Sequence, residues 1–448
     1  MTLSPLKHRT MNYNSFKLFF SVSLFFSLVA CSENESPTNE PTTDTELEVA
    51  NVQSYSQDFG YNGDIVEITG SNFVESSSDV EVLFDGVASE IISAGKTSIQ
   101  VKLPLVENGI PKLEINMKDR KVVSEVANAY EGNIGVLAKV PGEWALTKLE
   151  GALPNATIWT SQLVSPERLY YGLVSGSNGN TRTTWRSLDG GLTFKRWAYQ
   201  GFSNVFQATS TDEGWAESLR LLKIPAGGSV NEKEEILFTT TDKSNSNIAA
   251  ISVSDDLKTG MLITGSKTVY KTTDGENFDV IYDPDYEYLT IRTGFRLDDD
   301  HFWAGGGNTT YGLKPSLLFT HDGGATWNDL ELTFDEDGKT TVGKIQFVDS
   351  KNGFMLTYYD IYSPFRLRKT TDGGFTWDTV ETLLPNTNFV FLDTKTGWSF
   401  SGNTIYKTTD GGLTWNEDLK AESRVDRIDI KDNVVVAKIE NGILRYFL

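Results

Sequence analysis

From Val52 to about residue 132 apolar residues fall at every second position between short turns: Ile65, Val66 and Ile68, then Val80, Val82 and Phe84, then Ile99, Val101 and Leu103. That alternation predicts half-buried antiparallel strands, and no stretch of this segment has the period of a helix. Gly70 and Gly86 sit where turns are needed, Phe73 and Phe84 supply core, and Pro104 ends a strand because it cannot donate to the ladder.

Residues from about 141 onward follow a different rule, because here the pattern repeats. TTDGGLTW at 408–415, TDGGFTW at 371–377 and HDGGATW at 321–327 are the clearest copies, with SLDGGLTF at 187–194 and TDGENF at 273–278 as variants. Their aspartates, Asp189, Asp274, Asp322, Asp372 and Asp410, are spaced by 85, 48, 50 and 38 residues, so the first step spans two units. A worn copy at Thr240, Thr241, Asp242 and Lys243 is expected to fill that gap. A period near 45 residues is that of a four-stranded propeller blade. A second internal repeat orders the strands: Phe347-Val348-Asp349 leads to Gly353-Phe354, and Phe391-Leu392-Asp393 to Gly397-Trp398. The first strand of a unit then ends at this aspartate, and the TDGG turn joins the third strand to the fourth. In each such turn Asp accepts backbone N–H groups, Gly adopts positive φ, and the aromatic (Trp327, Trp377, Trp415) packs between neighbouring units. Six units end near residues 197, 250, 283, 333, 382 and 420. The alternating tail Ser423 to Leu448 and the segment Trp144 to Leu149 would supply a seventh, which makes seven blades the expectation and six the alternative.

Residues 63–73, GDIVEITGSNF, resemble the opening of an IPT/TIG domain, an immunoglobulin-like sandwich, and VLFDG at 82–86, TSIQVKLP at 97–104 and Gly109 before LEI at 113–115 follow in that family's order. The repeated turns resemble the Asp-box (BNR) of sialidases, sortilin-type receptors and the photosystem II assembly factor family. These resemblances imply an all-β chain: a sandwich over 51–132 followed by an Asp-box propeller over 141–448.

The amino-terminal end sets the expected compartment. Lys7, Arg9 and Lys17 precede an uncharged run from Leu18 to Ala30, about 13 residues against the roughly 20 that a spanning helix needs. The run stops at Cys31, the chain's one cysteine, and Leu28, Val29, Ala30 and Cys31 resemble the lipobox of bacterial lipoproteins. The resemblance implies a signal peptide over 1–30, cleavage before Cys31, lipidation of its sulfur, and anchorage in the outer membrane or at the cell surface rather than a membrane span. Glu33 and Glu35 resemble the surface-export signals of Bacteroidetes lipoproteins. Residues 31–50 are rich in Ser, Thr, Asn, Glu and Pro and read as a disordered tether.

Charge and composition narrow the chemistry. The chain has 40 Lys and Arg against 61 Asp and Glu, net −21; cleavage would remove three basic and no acidic residues, leaving −24. Such a surface repels phosphate backbones, so nucleic acid is not an expected partner. With Cys31 lipidated no thiol remains, and after cleavage only His301 and His321 are left, which argues against Cys–His chemistry and histidine metal sites. The acidic runs at 298–300 and 335–337 lack the spacing of a calcium loop. The Arg-Ile-Pro motif of sialidases is missing where Pro166-Glu167-Arg168-Leu169 stands, and no carboxylate pair singles itself out among 61 acids. No catalytic residue, cofactor or metal is therefore nominated. The connections between second and third strands, about Ala216 to Glu235, Gly305 to Pro315 and Thr357 to Pro364, should share the face opposite the repeated turns. They carry Arg220, Tyr311, Tyr358, Tyr359 and Tyr362, an aromatic and polar mix suited to stacking on sugars or gripping a peptide. The expectation is a non-catalytic, monomeric surface protein that binds a glycan or another surface protein, with a divergent sialidase-like hydrolase as the alternative.

Overall fold

A computed structural model describes residues 47–149, 153, 156–175, 181–200, 205–217, 220–228, 235–238, 248–284, 291–308, 313–334, 340–358, 365–383 and 388–448. Residues 47–448 form one compact unit. Its described residues are all-β apart from one 3-10 turn at Ser77–Asp79. Cys31 and residues 31–46 of the expected tether lie outside them, whereas Glu48–Ala50, read from the sequence as tether, open the first strand of the sandwich because Ala50 is buried in its core.

The first module is a sandwich. Glu48–Tyr55, Ile65–Ser71, Glu90–Ala94, Ser98–Lys102 and Arg120–Ser124 make one sheet, and Val80–Phe84, Val87–Ala88 and Leu113–Met117 the other. The alternation in the sequence is the alternation of burial: Val66, Ile68, Val82, Phe84, Ile99 and Val101 are fully enclosed between the sheets, and the residues between them face outward.

Seven four-stranded antiparallel sheets follow among the described residues, each an up-and-down meander, and together they make a β-propeller. Their first strands, Thr157–Ser165, Phe206–Ala208, Ile248–Val253, Ile291–Arg296, Thr341–Phe347, Phe389–Phe391 and Val425–Lys431, lie side by side around one axis, the last against the first. Second strands are buried on both faces and read as continuous apolar runs: GMLIT at Gly260–Thr264 and VVVAKI at Val434–Ile439 are wholly buried. Fourth strands such as Asn416–Lys420 are polar because they form the rim. The seventh sheet is made from both ends of the ring. Trp144–Lys148 pairs antiparallel with Gly442–Phe447, completing a sheet whose other strands are Val434–Ile439 and Val425–Lys431.

Contacts between sheets explain the second internal repeat. Phe347 stacks on Trp303 of the preceding sheet, centroids 3.6 Å apart and rings 10° from parallel, and Phe391 stacks on Phe354 at 3.5 Å and 3°. Glycine must open the adjoining second strand, since a Cβ on Gly353 or Gly397 would lie 2.6 Å from the ring of Phe347 or Phe391. Gly-Phe and Gly-Trp therefore recur because one residue clears the ring and the next receives the ring of the following sheet.

Glutamine joins some sheets in a second way. Gln207 donates from Nε2 to the carbonyl of Val253 (2.9 Å) and accepts that residue's N–H on Oε1 (3.0 Å), and Gln162 does the same with Ala208, Gln346 with Phe391. Each amide replaces the two hydrogen bonds that a neighbouring strand would have supplied.

The second sheet corrects the sequence reading. Its third and fourth strands are Leu221–Ile224 and Glu235–Phe238, so the turn between them begins at Pro225 and not in the supposed worn copy at Thr240 to Lys243, which follows the fourth strand and lies outside the described residues. This unit ends near residue 238, twelve residues before the expected boundary at 250. The supposed connection from Ala216 to Glu235 accordingly contains a strand, and only residues 218–220 join the second strand to the third. Asp212, from the first turn of this sheet, replaces the missing turn aspartate: it accepts Tyr170 Oη (2.7 Å) and the Gly227 N–H (3.0 Å) and forms an ion pair with Arg186 (2.8 Å).

Replacing Gln207 or Gln346 by Ala should leave a paired N–H and C=O on the neighbouring strand unsatisfied and cost about 1–3 kcal/mol each. Being in sheets that do not touch, the two losses should add, and thermal melting of the single and double variants measures both statements.

Candidate functional site

The two ends of the ring are chemically different. One end carries the first-to-second-strand turns and the repeated third-to-fourth-strand turns, whose polar groups are spent internally. At Asp410, Oδ1 accepts Thr408 Oγ1 (2.8 Å) and the Thr414 N–H (2.9 Å), and Oδ2 accepts Thr414 Oγ1 (2.6 Å), while the Gly412 N–H donates to Thr408 Oγ1 (2.9 Å). Asp322 and Asp372 repeat that pattern, and at Asp274 the side chain of Asn277 takes the place of the threonine. Gly411 and Gly412, at φ 77° and 91°, hold the backbone conformation that a β-carbon would strain. Trp327, Trp377 and Trp415 each pack into the core cluster between two sheets. Carbonyls of these turns also latch the preceding sheet: Gly373 O accepts Trp303 Nε1 (2.8 Å), Gly323 O accepts Lys271 Nζ (2.7 Å), and Gly190 O accepts Arg445.

The first repeated turn is different, because the sandwich sits on it. Asp189 is 7% exposed and accepts Tyr130 Oη from the sandwich (2.9 Å) in addition to Ser187 Oγ and Thr193. Burial, then the Asp189 carboxylate, push the Tyr130 phenol up, so it stays a donor. Leu192, the variable residue of this turn, is buried among Tyr130, Leu137, Phe59 and Tyr61, whereas Phe375 and Leu413 at the same position are exposed. Tyr61 Oη donates to Glu167 (2.7 Å), and Lys148 exchanges backbone hydrogen bonds with Glu107 and Gly109. A cleft of about 320 Å³, lined by Gln57, Asp58, Tyr130, Arg186 and Lys195, remains beside the contact.

The opposite end carries the second-to-third-strand connections, as the strand order predicts. Arg220 is exposed there in the second sheet. Tyr358, at the end of the second strand of the fifth sheet, is half-buried: its ring lies over Gly343 and meets Phe365 edge-on at 6.0 Å. Tyr311, Tyr359 and Tyr362 lie outside the described residues. Arg220 and Tyr358 share an end of the ring but come from sheets that are not neighbours.

Two features of this end and of the axis escaped the sequence reading. Trp159, in the first strand of the first sheet, is 64% exposed because a bulge between Ile158 and Thr160 turns it out of the ladder. No motif marks it, and an aromatic in a strand reads as core. Nearer the axis, Lys344 Nζ donates to Asn388 Oδ1 (2.8 Å) and Arg427 Nε donates to Ser161 Oγ (3.0 Å), which itself donates to Asp429 (2.9 Å). Enclosure pushes Lys344 down to about 7, helped by the positive charge of Arg427 and opposed by Asp429.

Among the described residues no group of His, Cys, Asp or Glu has the geometry to hold a metal ion, and no helix is long and apolar enough to cross a membrane. The Asp298 carboxylate, in one of the acidic runs, is taken by the N–H groups of Asp300 and His301 and by the His301 ring.

Hydrogen bonds from Thr326 and Thr414 hold Asp322 and Asp410 down at about 2, below the ordinary carboxylate value of 3.8. A carboxylate with a lowered folded pKa contributes stability that is present above its unfolded pKa and is lost as pH falls toward the folded one. Melting temperature should therefore drop as pH falls from about 4 to about 2, and the double variant Asp322→Asn, Asp410→Asn should show a shallower drop over that window. An unchanged slope would remove these turns as the source of acid sensitivity.

Residues 50–130 match the IPT/TIG domain family. No curated protein matches the chain. Among solved structures, "YCF48 bound to D1 peptide" is 16% identical at a TM-score of 0.46, covering 69% of this chain and 100% of that one. A structural genomics protein of unknown function from Bacteroides thetaiotaomicron is 12% identical at 0.41, covering 91% of this chain and 99% of that one. The GH74 xyloglucanase from Xanthomonas campestris is 11% identical at 0.41, covering 62% of this chain and 50% of that one. The chain thus joins an IPT/TIG immunoglobulin-like module to a β-propeller.

Proposed function

We propose that this chain is a non-catalytic binding or scaffold protein, anchored to the outer membrane or cell surface by lipid on Cys31, whose second-to-third-strand face engages a glycan or a partner protein. The observation that carries this reading is the unequal use of the two ends. The carboxylates of the repeated turns are saturated by their own turns, and the first turn is covered by the sandwich. The other end presents Arg220 and the indole of Trp159 to solvent, and among the described residues neither makes a hydrogen bond or ion pair that would hold it there. An exposed tryptophan beside charged and polar groups is what a stacking surface for sugar rings or peptide side chains requires. The sandwich is fixed to the first turn and to the closing strand of the ring. The functional class rests on the site, since the fold alone accommodates enzymes and binders alike.

Two experiments test it. Cys31→Ala should move the protein from the membrane fraction to a soluble one, and continued tight membrane association would defeat the anchor. Screening the full chain against polysaccharides and surface-protein fractions, with product detection alongside binding, tests the face. Trp159→Ala should weaken binding by about 1–3 kcal/mol, the range of aromatic stacking on a ring ligand, and Arg220→Ala should weaken it with unchanged melting. Turnover abolished by one Asp or Glu substitution would replace this reading with a hydrolase.

A further inference from the structure

The first strands of five sheets carry a bulge at the same place: between Ile158 and Thr160, Ile248 and Ala250, Ile291 and Thr293, Val342 and Lys344, and Val425 and Arg427. The residue after the bulge is therefore equivalent around the axis. It reads Thr160, Ala250 and Thr293 in the first, third and fourth sheets, but Lys344 and Arg427 in the fifth and seventh. Between these two, in the sixth sheet, stands Asn388, whose Oδ1 accepts the Lys344 ammonium. One side of the axis is thus lined by consecutive donors in a chain of strongly negative net charge.

The polar groups here are incompletely satisfied. Asn388 is 2% exposed, and among the described residues its Nδ2 has no hydrogen-bond partner, a costly condition for a desolvated donor. Among the described residues Lys344 has one hydrogen bond, lies over the Phe389 ring at 5.2 Å and takes part in no ion pair. Asp429, the acid nearest in the network, is engaged with Ser161, which also receives Arg427. Two cations and one carboxylate leave one positive charge over.

We propose that Lys344, Asn388 and Arg427 form an anion site at the axis of the ring, and that its ligand is a carboxylate. A planar group with two oxygens can accept Lys344 Nζ and the orphaned Asn388 Nδ2 together, under the positive charge of Arg427 in the next sheet, which Lys344 already feels. A single negative charge matches the one uncompensated positive charge, whereas a doubly charged phosphate would leave an excess that the acidic chain opposes. The lowered proton affinity of Lys344 fits the same site, because a bound anion would restore what desolvation by enclosure removes. The charged groups facing this lysine are Arg427 and Asp429. This site goes beyond the loop-face reading and uses none of its residues.

Calorimetric titration of the full chain with acetate, D-glucuronate and neutral methyl glucoside tests the proposal. Both acids should bind and the neutral sugar should not. Tighter binding of glucuronate than acetate would make the source a sugar acid, and equal binding a simple organic acid. Affinity should fall about tenfold per pH unit once pH exceeds the free Lys344 value of about 7. Lys344→Met and Arg427→Gln should each lower affinity at least tenfold, while retained Trp159-dependent binding to the loop face would show that the two readings fail separately. Absence of binding by either acid, equal affinity in Lys344→Met, or affinity independent of pH through neutrality overturns the site. The wild-type pH profile decides even where a variant fails to fold.

Discussion

Everything in the ring depends on one antiparallel pairing, that of Trp144–Lys148 with Gly442–Phe447, which joins strands nearly three hundred residues apart. Without it the seventh sheet would have three strands, and the two ends of the ring would be held by side-chain packing between Val425–Lys431 and Thr157–Ser165 with no shared ladder. The pairing is non-local, so its closure entropy must be met by contacts that form together with it. Those contacts reach the sandwich. Lys148 exchanges backbone hydrogen bonds with Glu107 and Gly109, and Tyr61 meets Phe447 edge-on at 5.4 Å. The strand that closes the ring is also the strand that positions the first module.

Elsewhere the sheets share no ladder, so side chains must couple them. Two solutions divide the ring. Between the fourth and fifth and the fifth and sixth sheets, stacked aromatics do it, with glycine clearing space for the ring. Between the first and second and the second and third, glutamine amides imitate a strand edge. The fifth-to-sixth contact has both. Four interfaces carry one of these devices or both, and the irregular second sheet keeps a glutamine amide on each of its sides.

What was legible in the sequence follows from this. The repeated turns could be read because their chemistry admits few residues: Asp to take N–H groups, Thr to return one, Gly for positive φ. Where a turn found another partner, as when Asp212 took the Gly227 N–H, the signature vanished and the unit boundary was misplaced. The axial donors were illegible for a different reason. Thr160, Lys344 and Arg427 share no sequence context, and only the bulges, which are backbone events, show that they are equivalent. Trp159 was hidden by the same bulge.

The bulges also connect architecture with function. A regular first strand directs alternate residues into the interfaces on either side, leaving the axis lined by backbone. An extra residue shifts that alternation, so that Trp159 leaves the interface for solvent while Lys344 and Arg427 stand at the equivalent position after the bulge in their own sheets. The cost is local, one unpaired residue per strand. The consequence is that a scaffold whose repeated turns are saturated by structure still places exposed and charged groups on the remaining face and at the axis, where a ligand can meet them without disturbing the contacts that hold the sheets together.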